Sequence, residues 1–117
     1  MRHRVIIALG SNNLQAVHIQ WASARLKTFL EDCLLSRILW TADIKGSGKM
    51  YMNRLACGWT ELSSDGLQKI LKQIEMETGR SQDRITIDLD LLQYDGKRYH
   101  EKDWQRPYVI NILNDIL

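Results

Sequence analysis

The order of helical and strand-like segments limits the possible folds more than any other feature of this sequence. Residues 14–31 and 63–80 carry apolar side chains at the three- and four-residue spacing of an amphipathic helix. A serine can cap the start of the second helix, and Gly79 is expected to end it. Apolar runs bounded by turn residues predict four strands. These predicted strands cover residues 4–9, 33–43, 51–62 and 85–94, and the turn cluster Gly10 to Asn13 that follows the first can also cap a helix.

The predicted elements follow the order β-α-β-β-α-β, and residues 103–117 add a C-terminal helix with Pro107 in its first turn. This order predicts a ferredoxin-like α+β sandwich, in which helices pack on one face of a four-stranded antiparallel sheet. We find no internal repeat and no linker composition. The 117 residues are therefore expected to form one domain, 1–117, with a core of its own.

Composition argues against several classes of protein. A formal net charge of +2 is too small to predict nucleic-acid binding, and no apolar run reaches the roughly 20 residues of a membrane-spanning helix. The apolar run after Arg4 lacks a small-residue cleavage site, so it predicts a first strand rather than a signal peptide. Cys33 and Cys57 have no metal-ligand spacing and are expected to be free thiols in a reducing cytoplasm. We expect a monomer.

The last predicted strand carries two carboxylates on one face. In a strand that covers residues 85–94, four aliphatic side chains beginning at Ile85 share one face, and Thr86, Asp88, Asp90 and Leu92 share the other. Same-face carboxylates two residues apart repel each other unless a cation or water lies between them. They suit Mg²⁺, which binds through one or two carboxylates plus substrate phosphates. The alternative is a solvated edge strand that uses charge to prevent aggregation.

Other charged residues give weaker signals. Arg80, Arg84, Lys97 and Arg98 bracket the aspartate strand, as a polyphosphate site requires, although solvated surface positions explain them equally well. The "GSGKM" segment within the predicted flexible loop 44–50 lacks the P-loop spacing. The three histidines have no metal-ligand spacing and are expected to be structural or exposed; they are His3, His18 and His100.

Four short motifs occur in order on the predicted elements. They are Gly10-Ser11-Asn12, "YMNRL" from Tyr51, "QIEMETGR" up to Arg80, and "TIDLDLLQY" from Thr86. Together, over residues 4–116, they resemble the 6-hydroxymethyl-7,8-dihydropterin pyrophosphokinase family of folate biosynthesis. The resemblance implies Mg-dependent transfer of pyrophosphate from ATP to the hydroxymethyl group of the pterin, with release of AMP.

The resemblance also implies residue roles on the nucleotide side. Asp88 and Asp90 would be catalytic residues and hold two Mg²⁺ ions on the ATP phosphates. Arg80 and His100 would also be catalytic. ATP would be bound by Glu75, Arg80, Arg84 and Arg106.

On the pterin side, the resemblance implies that Tyr51 and Asn53 line the pocket. Tyr108 stands where the family usually has a phenylalanine that stacks on the pterin's other face. The chain departs from the family pattern in the short segment 81–84, in Ile85 at the position of an arginine, and in Thr41-Ala42-Asp43, where the family has prolines. The chain is therefore expected to be a short and divergent member.

Two alternative functions remain open. A relative of these enzymes can bind nucleotide or pterin without turnover. A ferredoxin-like module can instead bind RNA or protein, but the RNA version needs exposed aromatic residues on its central strands. The third strand offers only Tyr51 on the relevant face, so this alternative has little support.

Overall fold

A computed structural model describes residues 1–43 and 45–117. The sheet is built from strands β1 to β6, and the helices are α1 to α3, with single 3-10 turns at Asp103–Gln105 and Leu113–Asp115. The elements are β1 His3–Ser11, α1 Gln15–Lys27, β2 Glu31–Leu35, β3 Leu39–Ala42, β4 Met50–Thr60, α2 Ser64–Glu77, β5 Asp88–Tyr94, β6 Lys97–Arg98 and α3 Pro107–Ile112.

The strands form one antiparallel sheet in the order β2-β4-β1-β5-β6. β3 pairs with β4 beyond the end of β2, so β2 and β3 together fill one edge position. The β-α-β-β-α-β order and this strand arrangement confirm the predicted ferredoxin-like fold.

α1 and α2 cover one face of the sheet. Their apolar residues pack against alternate residues of the central strands and form the larger core, whose side chains are almost fully buried. Its fully buried members include Ile7, Leu9, Ile19, Leu26, Leu67, Leu71, Ile74, Ile87 and Leu89. Ser63 caps α2 by accepting a hydrogen bond from the Gly66 amide at 3.1 Å, and Gly79 follows the helix with a φ of +73°, as predicted.

The opposite face is covered by the C-terminal segment. Trp104 and α3 pack on a smaller core that includes Ile6, Leu55 and Leu92. Arg37, between β2 and β3, donates to the Asn111 carbonyl at 3.0 Å and its amide donates to Asp115 at 3.0 Å. These bonds fix the segment on one part of the face and leave the remainder open.

The prediction of one continuous second strand over residues 33–43 is wrong, because the strand breaks after Leu35. The Leu55 amide donates to the Ser36 hydroxyl at 2.8 Å, in place of a backbone carbonyl. The Ser36 carbonyl instead accepts from Arg54 Nε at 2.8 Å. The Ser36 hydroxyl therefore replaces one backbone carbonyl as an acceptor in the hydrogen bonding between the strands. β3 begins three residues later, at Leu39.

Several predicted boundaries are also wrong. α1 ends at Lys27 rather than residue 31, and it starts after Leu14, a left-handed residue (φ +45°) with no side-chain cap. β5 begins at Asp88 rather than Ile85, because Thr86 turns towards α2 and its hydroxyl lies 2.6 Å from that of Thr78. Thr86 therefore does not share the aspartate face.

The C-terminal helix and the loop before β4 also differ in extent from the predictions. The helix covers only Pro107–Ile112, with proline in its first turn as predicted. The predicted loop 44–50 starts at Ile44, which lies outside the described residues, and its last residue, Met50, belongs to β4. Within the described residues, no helix has both the length and the apolar character needed to cross a membrane.

Candidate functional site

A cavity of about 430 Å³ opens on the face that carries α3. Its floor is formed by four neighbouring strands, β3, β4, β1 and β5. A row of paired residues crosses them: Leu39 pairs with Asn53, Asn53 with Gly10, and Gly10 with Asp88. The C-terminal segment and the start of the loop after β3 form its walls. The lining residues are Ala8, Leu9, Gly10, Thr41, Ala42, Asp43, Lys45, Tyr51, Asn53, Asp88, Asp90, Asp103, Arg106, Pro107 and Tyr108.

Small residues on β1 create the space above the two aspartates. Asp88 pairs with Gly10 and Asp90 pairs with Ala8, so neither carboxylate has a large neighbour on the central strand. The intervening residue Leu89 points to the opposite, helix-covered core. The alternation of β5 therefore places both carboxylates in the cavity and their aliphatic neighbours in the core, as the sequence predicts.

Burial and the neighbouring carboxylate affect the ionisation of Asp90. The pKa of Asp90 is raised to about 7, first by burial and then by the negative charge of Asp88, with a smaller opposing effect from Lys72. Around neutral pH, the pair therefore resists carrying two full negative charges. A cation between the carboxylates would remove this repulsion.

Arg80 connects Asp88 to a buried glutamate. Arg80 Nη1 lies 3.0 Å from Asp88 Oδ1 and 2.7 Å from Glu75 Oε1. Glu75 is only 3% exposed, and its Oε2 accepts a hydrogen bond of 2.7 Å from the Leu89 amide. Burial raises the pKa of Glu75, whereas the Leu89 amide and Arg80 oppose that effect. Glu75 thus fixes both the edge of β5 and the arginine beside the aspartates.

The floor on the β4 side holds an amide and a phenol. Asn53 Nδ2 donates to Thr41 Oγ1 at 2.8 Å, which fixes the orientation of its amide. The Tyr51 hydroxyl accepts from Asn12 Nδ2 at 3.3 Å, and Asn12 Oδ1 accepts from the Ile85 amide at 2.8 Å. The Gly-Ser-Asn turn after β1 therefore joins Tyr51 to the segment before β5.

The remaining wall is formed by the start of the C-terminal segment. Arg106 Nε lies 3.0 Å from Asp103 Oδ1, three residues earlier. Pro107 starts α3, and Tyr108 in the first turn lines the cavity. Burial raises the pKa of the Tyr108 phenol to about 12. The wall thus presents one ion pair and one neutral phenol.

Four predicted site residues lie outside the lining of this cavity. Arg80 is one of them, although it contacts Asp88 at 3.0 Å. Glu75 is buried beneath β5, and Arg84 is exposed and lines no described cavity. His100 is exposed, in a left-handed conformation (φ +55°), and lines a smaller cavity of about 100 Å³ beside the free edge of β5. Lys72 and Asp90 also line this smaller cavity, so Asp90 belongs to both.

Asp43, Lys45 and Asp103 line the cavity, although the sequence did not single them out as site residues. The spacing of Asp103 and Arg106, three residues apart, is a signal that could have identified one of them. The loop residues carry no comparable pattern. Among the described residues, no group of three or more histidine, cysteine, aspartate or glutamate side chains could hold a metal ion.

Comparisons with known proteins agree with the motifs in the cavity. A sequence model of the 7,8-dihydro-6-hydroxymethylpterin-pyrophosphokinase family matches residues 6–117. A folate synthesis bifunctional protein of Arabidopsis thaliana is 32% identical over 80 residues, which cover 57% of this chain and 16% of that protein. A mitochondrial folate synthesis bifunctional protein of the same plant is 31% identical over 131 residues, covering 98% and 24% respectively. The chain thus spans about a quarter or less of the length of these relatives.

Proposed function

We propose, because the chain belongs to the 7,8-dihydro-6-hydroxymethylpterin-pyrophosphokinase family, that it transfers pyrophosphate from ATP to 6-hydroxymethyl-7,8-dihydropterin. The hydroxymethyl oxygen attacks the β-phosphorus of ATP, the bond from that phosphorus to the α,β-bridging oxygen breaks, and AMP leaves. The observation that carries this proposal is the row of residues that joins Asn53 on β4 to Asp88 on β5 across Gly10 on β1, with Asp90 beside Ala8 in the adjacent row.

The dimensions of this row support the proposed pterin site. Asn53 and Asp88 are two strands apart, and each strand spacing is about 4.8 Å, so roughly 10 Å separates their backbones. A flat bicyclic ring with one substituent can lie across β1 in that space. Its polar edge would then meet the Asn53 amide, and its hydroxymethyl group would lie near the aspartates. Tyr51 and Tyr108 would contact the ring.

The donor set of the aspartate pair fits Mg²⁺. Within residues 1–43 and 45–117 the two carboxylates belong to no group of three or more possible metal ligands. Such a pair suits an ion that takes its other ligands from water and phosphate oxygens. Burial and then the charge of Asp88 raise the pKa of Asp90, and a bound cation would favour its ionised form. When bound, two Mg²⁺ ions with ATP would neutralise the phosphate oxygens and make the β-phosphorus more electrophilic.

The contacts of Arg80 support a role beside the phosphates. The contacts that Arg80 makes with Glu75 and Asp88 both involve Nη1. Among residues 1–43 and 45–117, its other guanidinium nitrogens have no acidic partner and can meet a phosphate. Glu75 acts through Arg80 and the Leu89 amide rather than through ATP itself. This assignment replaces the direct ATP contact that the resemblance implied for Glu75.

The smaller cavity supports a path for the remainder of ATP. It shares Asp90 with the main cavity and carries Lys72 and His100, so a triphosphate near Asp90 could extend into it. Arg106 would contact phosphate from the opposite wall. Within the part of the chain that the structure describes, no side-chain contact of Arg84 supports its proposed role in ATP binding. The single domain over residues 1–117, the monomeric state and the cytoplasmic location stay predictions.

The test is AMP formation from ATP and 6-hydroxymethyl-7,8-dihydropterin, with and without Mg²⁺. We expect AMP to form only when ATP, the pterin and Mg²⁺ are all present. A folded protein that binds pterin by calorimetry but forms no AMP would be a binding-only relative. A folded protein that binds neither substrate would refute the proposal entirely.

A further inference from the structure

The 3-10 turn that leads into α3 is held in place by Trp104. This side chain is almost fully buried, and its Nε1 donates to the Leu92 carbonyl at 3.2 Å and to the Tyr99 carbonyl at 3.1 Å. The Arg98 guanidinium lies over the ring, 4.1 Å from its centroid. The residues on either side of Trp104 are therefore held at the wall of the cavity.

The same turn carries an ion pair that lines the cavity. Asp103 and Arg106 are both lining residues, and Asp103 Oδ1 lies 3.0 Å from Arg106 Nε. The backbone supports this spacing, because the Arg106 amide donates to the Asp103 carbonyl at 3.1 Å. The Asp103 amide in turn donates to the His100 carbonyl at 2.8 Å. The main chain and the carboxylate thus restrain the arginine together.

The ion pair leaves one edge of the guanidinium available. The closest contact of Asp103 is to Nε, and within residues 1–43 and 45–117 no second acidic side chain lies within ion-pair distance of Arg106. The edge formed by Nη1 and Nη2 can therefore meet two oxygens of a phosphate, the contact for which the planar guanidinium is suited. Arg106 is restrained at one edge and open at the other.

The stability of the fold does not account for this pair. The side chains of Arg106 and Asp103 are 38% and 20% exposed, and partly exposed ion pairs contribute little to folding. A negative charge in this cavity would also repel a triphosphate, unless it has an effect that offsets the repulsion. An arginine that is already restrained loses less side-chain entropy when it binds a ligand, which is such an effect.

We propose that Asp103 is a positioning residue that holds the Arg106 guanidinium in place for the phosphates of ATP, and this inference rests on the proposed function. Asp103 does not contact ATP itself. It restricts the rotamers of Arg106 in advance, so that less conformational freedom is lost when the phosphates bind. The whole effect of Asp103 on ATP binding therefore passes through Arg106.

Asp103→Ala tests this inference because it removes the carboxylate and keeps Arg106. We expect the Kd for ATP, measured by calorimetry with Mg²⁺ present, to rise about fivefold, which corresponds to about 1 kcal/mol. The Kd for 6-hydroxymethyl-7,8-dihydropterin should not change. Asp103→Glu should recover most of the ATP affinity, because a glutamate three residues before an arginine can also pair with it. Asp103→Asn, which keeps the size of the side chain, should raise the Kd less and replaces the alanine variant if that variant does not fold.

Glu31→Ala is the matched control for the loss of an ion pair. Glu31 Oε2 lies 3.0 Å from Arg2 Nη1, the same distance as in the Asp103 pair, and Glu31 lines neither described cavity. Its Kd for ATP should equal that of wild type.

A double-mutant cycle shows whether Asp103 acts through the arginine. In an Arg106→Gln background, Asp103→Ala should not raise the Kd for ATP further. An equal loss of affinity in both backgrounds would overturn the inference. So would an unchanged or lower Kd in Asp103→Ala alone, and a lower Kd would mean that Asp103 only repels phosphate. If folded wild type binds no ATP and forms no AMP, the proposed function fails as well. If wild type binds ATP and forms AMP, the cycle decides the role of Asp103 alone.

Discussion

The two faces of the sheet are covered to different extents, although the same strands build both. On one face, α1 and α2 complete a core of aliphatic side chains. On the other, the C-terminal segment covers a smaller core and leaves a cavity of about 430 Å³ beside it. The helix-covered face provides stability, and the partly covered face can bind a ligand.

β5 shows how one strand serves both purposes. Leu89 and Leu91 enter the core under the helices, and Asp88 and Asp90 enter the cavity. Glu75 and Arg80 connect the two faces, because a buried carboxylate on α2 holds the arginine that contacts Asp88. We therefore expect a substitution on β5 to affect activity when the side chain lines the cavity, and stability when the side chain lies in the core.

The largest expected effect is on the cavity face. Asp88→Asn and Asp90→Asn should each lower the rate of AMP formation by at least about a thousandfold, because each removes an ionised ligand for the proposed Mg²⁺. The fold should survive, since neither side chain belongs to either core. The measurement is the AMP assay on each variant, together with its circular dichroism spectrum.

Asp95→Asn is the control for that experiment. Asp95 follows β5 at its other end, contacts His3 at 2.8 Å and does not line the cavity. It should retain wild-type turnover. Full activity in Asp88→Asn or Asp90→Asn would eliminate the metal role of that residue.

The helix-covered face should respond in the opposite way. Leu26→Ala removes a fully buried side chain of α1 and should lower the free energy of unfolding by about 3 kcal/mol. Turnover per folded molecule should change little at low temperature, because Leu26 lies on the far side of the sheet from the cavity. Urea unfolding and the AMP assay measure the two quantities.

Val17→Ala is the matched control on the same helix. Val17 is 62% exposed, so its truncation should change the free energy of unfolding by less than about 0.5 kcal/mol. A comparable loss of stability in both variants would mean that the α1 core does not carry the stability assigned to it.

Local sequence signals predicted the parts of the fold that depend on neighbouring residues. Ser63 and Gly79 marked the ends of α2 because capping and left-handed glycine are local effects. The alternation around Asp88 and Asp90 needed only the period of a strand. The break at Ser36 could not be predicted in this way, because it depends on bonds to Leu55 and Arg54 about 20 residues away.

The same distinction applies to the site. Motifs drew attention to Tyr51, Asn53 and Asp88, and the fold brings all three into one cavity. Asp43 and Asp103 reach that cavity because a loop and the C-terminal segment fold over the sheet. The three-residue spacing of Asp103 and Arg106 can indicate an ion pair, but it does not indicate that the pair lines a cavity. His100 carried a motif-based role but lies at the smaller cavity, because a left-handed turn after β6 directs the chain there.

The smallest expected effect concerns the pH dependence of stability in the metal-free protein. The pKa of Asp90 is about 7 in the folded state, against an ordinary value of 3.8 for an aspartate, so folding favours the protonated carboxyl. Between about pH 4 and pH 7, the folded state holds a proton that the unfolded state has lost. The contribution of Asp90 to the free energy of unfolding must therefore fall as pH rises through that window.

Asp90→Asn isolates this contribution, because an amide cannot titrate. Measured with a chelator present, the Tm of Asp90→Asn relative to wild type should rise between pH 4 and pH 8, by about 3–6 °C for each kcal/mol. Asp88, Glu75 and Lys72 are the charged neighbours that influence Asp90, and all three remain in the variant. If the Tm values of the two proteins change in parallel across this range, neither burial nor the charge of Asp88 raises the pKa of Asp90 in the folded state.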